Sequence, residues 1–158
     1  MVHAFHLIAA TNWIEEAPRL WAAVYLHDIA RTHDGRCYRH GSDAMTKFES
    51  CPELRQLFAQ GGVVESDYAL IRTAVVHHCQ PTELDHTHPH WRLTSLLKDA
   101  DGLDRVRLGD LDARYLRNPE AIQMVDFAEQ LFNETDGKIP VGVEHFSQLW
   151  SWSERMVH

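Results

Sequence analysis

Residues 17–30, APRLWAAVYLHDIA, are apolar nearly all round. A helix without a polar face is buried on every side. The stretch therefore reads as the central helix of an all-α protein, running to about Arg31. Near its end stand His27 and Asp28. Burying an unpaired charge is costly, so this pair needs partners. A hydrogen-bonded structural neighbour would serve, and so would a bound metal ion.

On the N-terminal side, residues 3–13 (HAFHLIAATNW) read as a short helix, with His3 and His6 three apart on one face. Glu15, Glu16 and Pro18 suit the first turn of the central helix. On the other side, THDGRCYRHG (32–41) is a polar loop in which His33–Asp34 forms a turn capped by Asp34. SDAMTKFES and, after Pro52, ELRQLFAQ are two short helices broken by the proline. Gly61–Gly62 ends the second. Ser66 is the N-cap expected for DYALIRTAVVHHC, which Pro81 stops. The segment PTELDHTHPHW, with His86, His88 and His90, reads as a solvated, mobile loop.

Residues 92–108 form the next helix, with Leu93, Leu96, Leu97, Ala100, Leu103 and Val106 as its apolar stripe. Asp104 falls inside that stripe, where a hydrogen bond toward the Arg31 region is expected. Asp110 to Asn118 is irregular, and Pro119 starts one helix, EAIQMVDFAEQLF. A turn at Asp136–Gly137 and Pro140 leads to a last helix over about Glu144–Arg155. Its Phe146, Trp150 and Trp152 read as core or as a homodimer contact. No period-2 alternation, repeat or low-complexity linker interrupts the helical pattern. The expectation is a single all-α domain over residues 1–158, a bundle of about seven helices.

At 158 residues the chain can bury one good core. Hydrophobic residues make up 44% and charged residues 24%, as in soluble globular proteins. The net charge of −8 argues against a nucleic-acid polymer or an acidic membrane held by bulk charge. A small phosphorylated partner remains compatible if a metal or a few arginines supply positive charge. The three cysteines form no CxxC and cannot all pair, which suggests a reducing compartment and ordinary thiols. The first residues lack a signal-peptide pattern and no run is long enough for a membrane span, so a cytoplasmic protein is expected. The outlying number is 12 histidines, the commonest metal ligand and general acid/base.

Four separate helices offer candidate ligands: His6 or His3, His27–Asp28, His77–His78, and Asp99 or Asp101. Adjacent residues on a helix diverge by about 100°. His27 and Asp28 can then share an ion only if it lies beside their helix, with other helices closing the far side, as in the metal sites of helical bundles. Imidazoles with carboxylates make a mixed N/O site. That mix suits one or two divalent transition ions, such as manganese, iron, cobalt, nickel or zinc.

HD in LHDIAR, a histidine one helix earlier, HH in VVHHC and DADGLD in LLKDADGLDRVR together resemble the HD-domain metal-dependent phosphohydrolases, whose pattern is H…HD…D. The resemblance covers residues 6 to 107 and implies a helical bundle, divalent metal and hydrolysis of a phosphate ester. His27 and Asp28 match the HD itself. Asp101 matches the later aspartate best, with Asp99 as rival, and His6 matches the first histidine best, with His3 as rival. His40–Gly41 resembles the HG of two-metal members, and His77 and His78 match the HH. The resemblance thus implies His6, His27, Asp28 and Asp101 as metal ligands, with His40 and His77 added and Asp28 bridging where a second ion binds.

A divalent ion lowers the pKa of its bound water and neutralises phosphoryl oxygens, and two ions about 4 Å apart do both at once. Arg31, one turn after His27, is placed to clamp a phosphate oxygen with its planar fork. Arg105 and Arg107 are further candidates. His78 is expected to protonate the leaving group or bind phosphate. The expected function is hydrolysis of a small phosphorylated metabolite, a nucleotide among the candidates. The alternatives are a two-iron oxygenase of the same fold and a non-catalytic metabolite-binding module.

Overall fold

The computed structural model describes residues 1–33, 35–139 and 144–156. Asp34, expected to cap a turn, and Pro140, expected in the turn before the last helix, lie outside the described residues. Among the described residues the chain is helical, with nine α-helices and no strand. They are α1 (Val2–Thr11), α2 (Ala17–Leu26), α3 (His40–Glu49), α4 (Pro52–Gln60), α5 (Tyr68–His78), α6 (Trp91–Asp104), α7 (Pro119–Gln123), α8 (Val125–Thr135) and α9 (His145–Met156). None of them is long and apolar enough to cross a membrane.

The apolar stretch that starts at Ala17 does form a buried helix, but α2 ends at Leu26 rather than near Arg31. His27 keeps the last helical bond, donating its N–H to the Ala23 carbonyl. The chain then tightens, with Ile29 N–H bonding Leu26 O and Arg31 N–H bonding Asp28 O. These i→i+3 turns stop the 100° march of an α-helix. The consequence is local: His27 Nε2 and Asp28 Oδ2 end 3.7 Å apart, on one side of the chain.

The centre of the fold is shared. α5 packs against α2, α3 and α6, while α1 lies on α6 and α2. Leu7, Leu20, Leu26, Met45, Phe48, Ile71, Val75, Leu96, Leu97 and Leu103 fill the interior. Pro52 and Pro119 stand at the first turns of α4 and α7, where a missing N–H costs nothing. α1 closes on Asn12 in the left-handed conformation, which asparagine tolerates.

Two further expectations are corrected. Ser66 is not the cap of α5: a short 3-10 turn, Glu65–Asp67, precedes the helix, and Asp67 Oδ2 accepts the Val64 N–H. Asp67 also accepts from Arg19 Nε at 2.7 Å, so its side chain ties the start of α5 to α2. The segment after Pro119 makes two helices, α7 and α8, which meet at Met124.

α6 is buried on more than its apolar stripe. Asp99 is fully buried and accepts from the backbone N–H groups of Arg117 and Asn118 and from both their side chains. Lys98, also buried, donates to the Gln80 and Thr82 carbonyls and to Glu83. These bonds satisfy charges that would otherwise be costly inside. α9 covers α1 through aromatic contacts: Phe5 meets Trp150 at 4.8 Å and Phe146 at 5.9 Å between ring centres.

Candidate metal centre

Asp28 sits just past the C-terminus of α2, where the helix dipole disfavours a negative charge. Three imidazoles from three segments surround it. His40 Nε2 lies 3.2 Å from Asp28 Oδ1, and His78 Nε2 lies 3.9 Å from the same oxygen. His27 Nε2 lies 3.7 Å from Oδ2 and 3.9 Å from Asp101 Oδ1. Asp101 is brought from the last turn of α6.

The three histidines are held in the same way. Each gives its Nδ1 proton to the carbonyl three residues earlier: His27 to Val24 at 2.7 Å, His40 to Cys37 at 2.6 Å and His78 to Val75 at 2.6 Å. A carbonyl can only accept, so Nδ1 must carry the proton. A neutral ring held this way offers a bare lone pair at Nε2. Backbone hydrogen bonds of this kind orient metal-binding imidazoles.

The Nε2 atoms of His40 and His78 lie 2.8 Å apart. Two bare lone pairs at that distance repel each other. A proton between them, or a metal ion beside them, removes the repulsion. Asp28 Oδ1 is buried and has no hydrogen-bond partner among the described residues. Converging imidazole nitrogens around an orphaned carboxylate oxygen fit a divalent transition ion by donor type.

The electrostatics agree with that donor set. Burial works to raise the Asp28 carboxyl, but the His78 ring facing it and the neighbouring His27, Arg31 and His40 side chains outweigh it. The carboxyl is held well below the usual carboxylate range. Burial, followed by the neighbouring His78 ring, pushes the His40 imidazole down and favours its neutral form. Both shifts favour the forms that bind metal.

Gly41 makes the close approach possible. A Cβ there would lie 2.2 Å from the Val75 carbonyl oxygen, so α3 rests directly on the backbone of α5. His40 and His78 meet because those two helices touch at a glycine.

The structure thus brings together His27, Asp28, His40, His78 and Asp101. It does not bring His6 to them. His6 Nε2 bonds Ser153 Oγ at 2.8 Å, and its ring stacks on Trp150. His3, one turn earlier on α1, lines a small cavity of about 120 Å³ together with His27 and Asp101. On α5, His78 faces Asp28, whereas His77 leaves a buried Nδ1 without a hydrogen-bond partner among the described residues. Asp99 belongs to the Arg117–Asn118 clamp and not to the cluster. Asp104 pairs with Arg107 at 2.7 Å.

The sequence reading missed Cys79. Its sulfur lies within 4.8 Å of ligand nitrogens of His40 and His78. It donates to the Tyr38 and Val76 carbonyls, and burial pushes its thiol up, so the protonated form is the one present. Adjacency to the HH pair was the only signal for it.

Above the cluster opens a cavity of about 350 Å³ whose rim carries Arg31, Arg36 and Arg105. Arg31 Nη1 reaches Asp28 Oδ2 at 3.3 Å, and Arg105 pairs with Asp110. No family model, no curated protein and no solved structure matches this chain.

Proposed function

We propose that this chain is a metal-dependent phosphohydrolase of the HD type, acting on a small phosphorylated metabolite. The observation that carries the proposal is the set of three imidazoles, each fixed by an Nδ1–H bond to its own backbone, that turn Nε2 toward Asp28. His27, Asp28 and Asp101 would hold one ion, and His40 and His78, with Asp28 between, a second. A divalent ion bound there makes water a better nucleophile at neutral pH and neutralises phosphoryl oxygens.

The residues of the chain do the rest. Asp28 and the imidazoles are preorganised by burial and by backbone bonds, so little reorganisation is needed when charge develops. Arg31, Arg36 and Arg105 at the mouth attract the phosphate and orient its oxygens. His78 changes part: with Nε2 turned into the cluster, it acts as a ligand and gives up the proton-donor role expected from the sequence. In the net reaction water adds to phosphorus and the ester P–O bond breaks. The leaving oxygen takes a proton, giving an alcohol and inorganic phosphate.

The test is hydrolysis of p-nitrophenyl phosphate and bis(p-nitrophenyl) phosphate by protein loaded in turn with manganese, iron, cobalt, nickel and zinc. The proposal expects turnover that depends on the metal and disappears in Asp28→Asn. Protein that demonstrably holds metal yet hydrolyses neither ester with any ion would overturn it.

A further inference from the structure

A cavity of about 630 Å³ lies behind the cluster, between α1, α8, α9 and the 3-10 turn Arg105–Leu108. Its walls are mainly apolar, with Val106, Leu131, Phe132, Phe146 and Leu149 among them. It shares Met1, His3 and Asp104 with the small cavity that reaches His27 and Asp101. The two spaces therefore adjoin at these residues, with the candidate metal ligands on one side and an apolar chamber on the other.

His3 marks the neck. Its ring is nine-tenths buried, and its Nε2 has no hydrogen-bond partner among the described residues. Leaving a buried polar nitrogen unpaired is costly, so a polar atom of a ligand belongs beside it. Asp104, another shared wall residue, has its charge answered by Arg107. Apolar chambers of a few hundred cubic ångströms with a few polar groups at one end hold small amphipathic molecules.

We infer that this chamber receives the apolar part of the substrate, so that the substrate class is a phosphate ester of an aliphatic or aromatic alcohol. The phosphate lies at the cluster, the ester oxygen passes His3, and the hydrocarbon body fills the space behind α1. The phosphate end of this inference rests on the phosphohydrolase reading. The chamber end rests on its own geometry.

The test is titration calorimetry of the full chain with methyl-, butyl- and octylphosphonate, with and without manganese. A phosphonate keeps the dianion but has no ester bond to cleave, so binding is read without turnover. Affinity is expected to rise by about fourfold per added methylene, the factor set by burying one CH₂ group. Val106→Trp and Leu149→Trp fill the chamber from two different elements, at positions that are only partly buried. Either is expected to flatten the series while methylphosphonate binding stays unchanged. Thermal melts report whether each variant folds; if neither does, the wild-type series decides alone.

A flat wild-type series overturns the inference, and so does a steep series that survives both folded tryptophan variants. A steep series that the variants flatten, in a protein that cleaves no ester, keeps the chamber and removes the phosphohydrolase. Ester hydrolysis with a flat series does the reverse.

Discussion

His40 and His78 hold their Nε2 atoms 2.8 Å apart although each ring has already given its Nδ1 proton to a backbone carbonyl. Such an arrangement is stable only with a positive charge at the junction. Beside it, Asp28 Oδ1 is buried without a hydrogen-bond partner among the described residues. Geometry of this kind is what a cation site requires, and it is built from three separate segments: the turn after α2, the start of α3 and the end of α5.

Asp28→Asn removes the charge and keeps the shape. The expected result is loss of tight metal binding and of any phosphatase turnover, with helical circular dichroism unchanged. A variant that kept both metal and turnover would show that the HD dipeptide is not the site.

Gly41→Ala probes the helix contact that joins His40 to His78. The added Cβ would meet the Val75 carbonyl oxygen at 2.2 Å, and a backbone atom cannot swing aside as a side chain can. Overpacking of this kind costs about 3 kcal/mol. Urea unfolding should show a loss of that order, together with weaker metal binding, because α3 must lift from α5. An unchanged midpoint would mean that the helices do not pack this closely.

Asp99 and Asp101 stand two residues apart and should behave differently. Asp99→Ala leaves the buried donors of Arg117 and Asn118 without their acceptor. Breaking a buried charged network costs about 3 kcal/mol or more. The expected result is a large loss of stability with metal content retained in the folded fraction. Asp101→Ala, at a partly exposed position facing His27, should do the opposite.

The pH dependence of stability has a defined contribution from Glu83. Burial works to raise its carboxyl, but hydrogen bonds from Arg117 and Lys98 and their charges outweigh it and lower the value to about 2. An unfolded glutamate titrates near ~4.3. In the window between these values the unfolded chain binds more protons, so stability rises with pH there. The contribution is fully present above the unfolded value and is lost as pH falls through about 2. Urea unfolding from pH 2 to 6 should therefore show a flatter profile for Glu83→Gln than for the natural chain. Identical profiles would remove Glu83 from the account.

Much of the fold was legible because the helices announce themselves by apolar spacing and by prolines at their starts, as at Pro52 and Pro119. What could not be read was where a helix tightens. Nothing in LHDIAR says that the α-helix stops at Leu26, yet that stop sets His27 and Asp28 on one side. The pairs were harder still. His3 and His6 share a face of α1 in the sequence, and only the packing of α9 shows that His6 is taken by Ser153 and Trp150. His77 and His78 differ by 100° around α5, and the choice depends on where α3 lies. Cys79 carries no local signal beyond its adjacency to the HH pair, since its place beside His40 and His78 follows from the same helix contact. Asp99 and Asp101 are separated by the loop at Arg117–Asn118, a partner about eighteen residues away whose backbone N–H groups no motif predicts.

The most direct measurement is the metal content of the purified protein after dialysis against manganese, iron, cobalt, nickel or zinc and gel filtration. The account predicts one to two equivalents retained by the natural chain, with the second lost in His40→Ala. No retained metal with any of the five ions, in protein that is folded by circular dichroism, would contradict it and leave the cluster as a proton-bridged structural network.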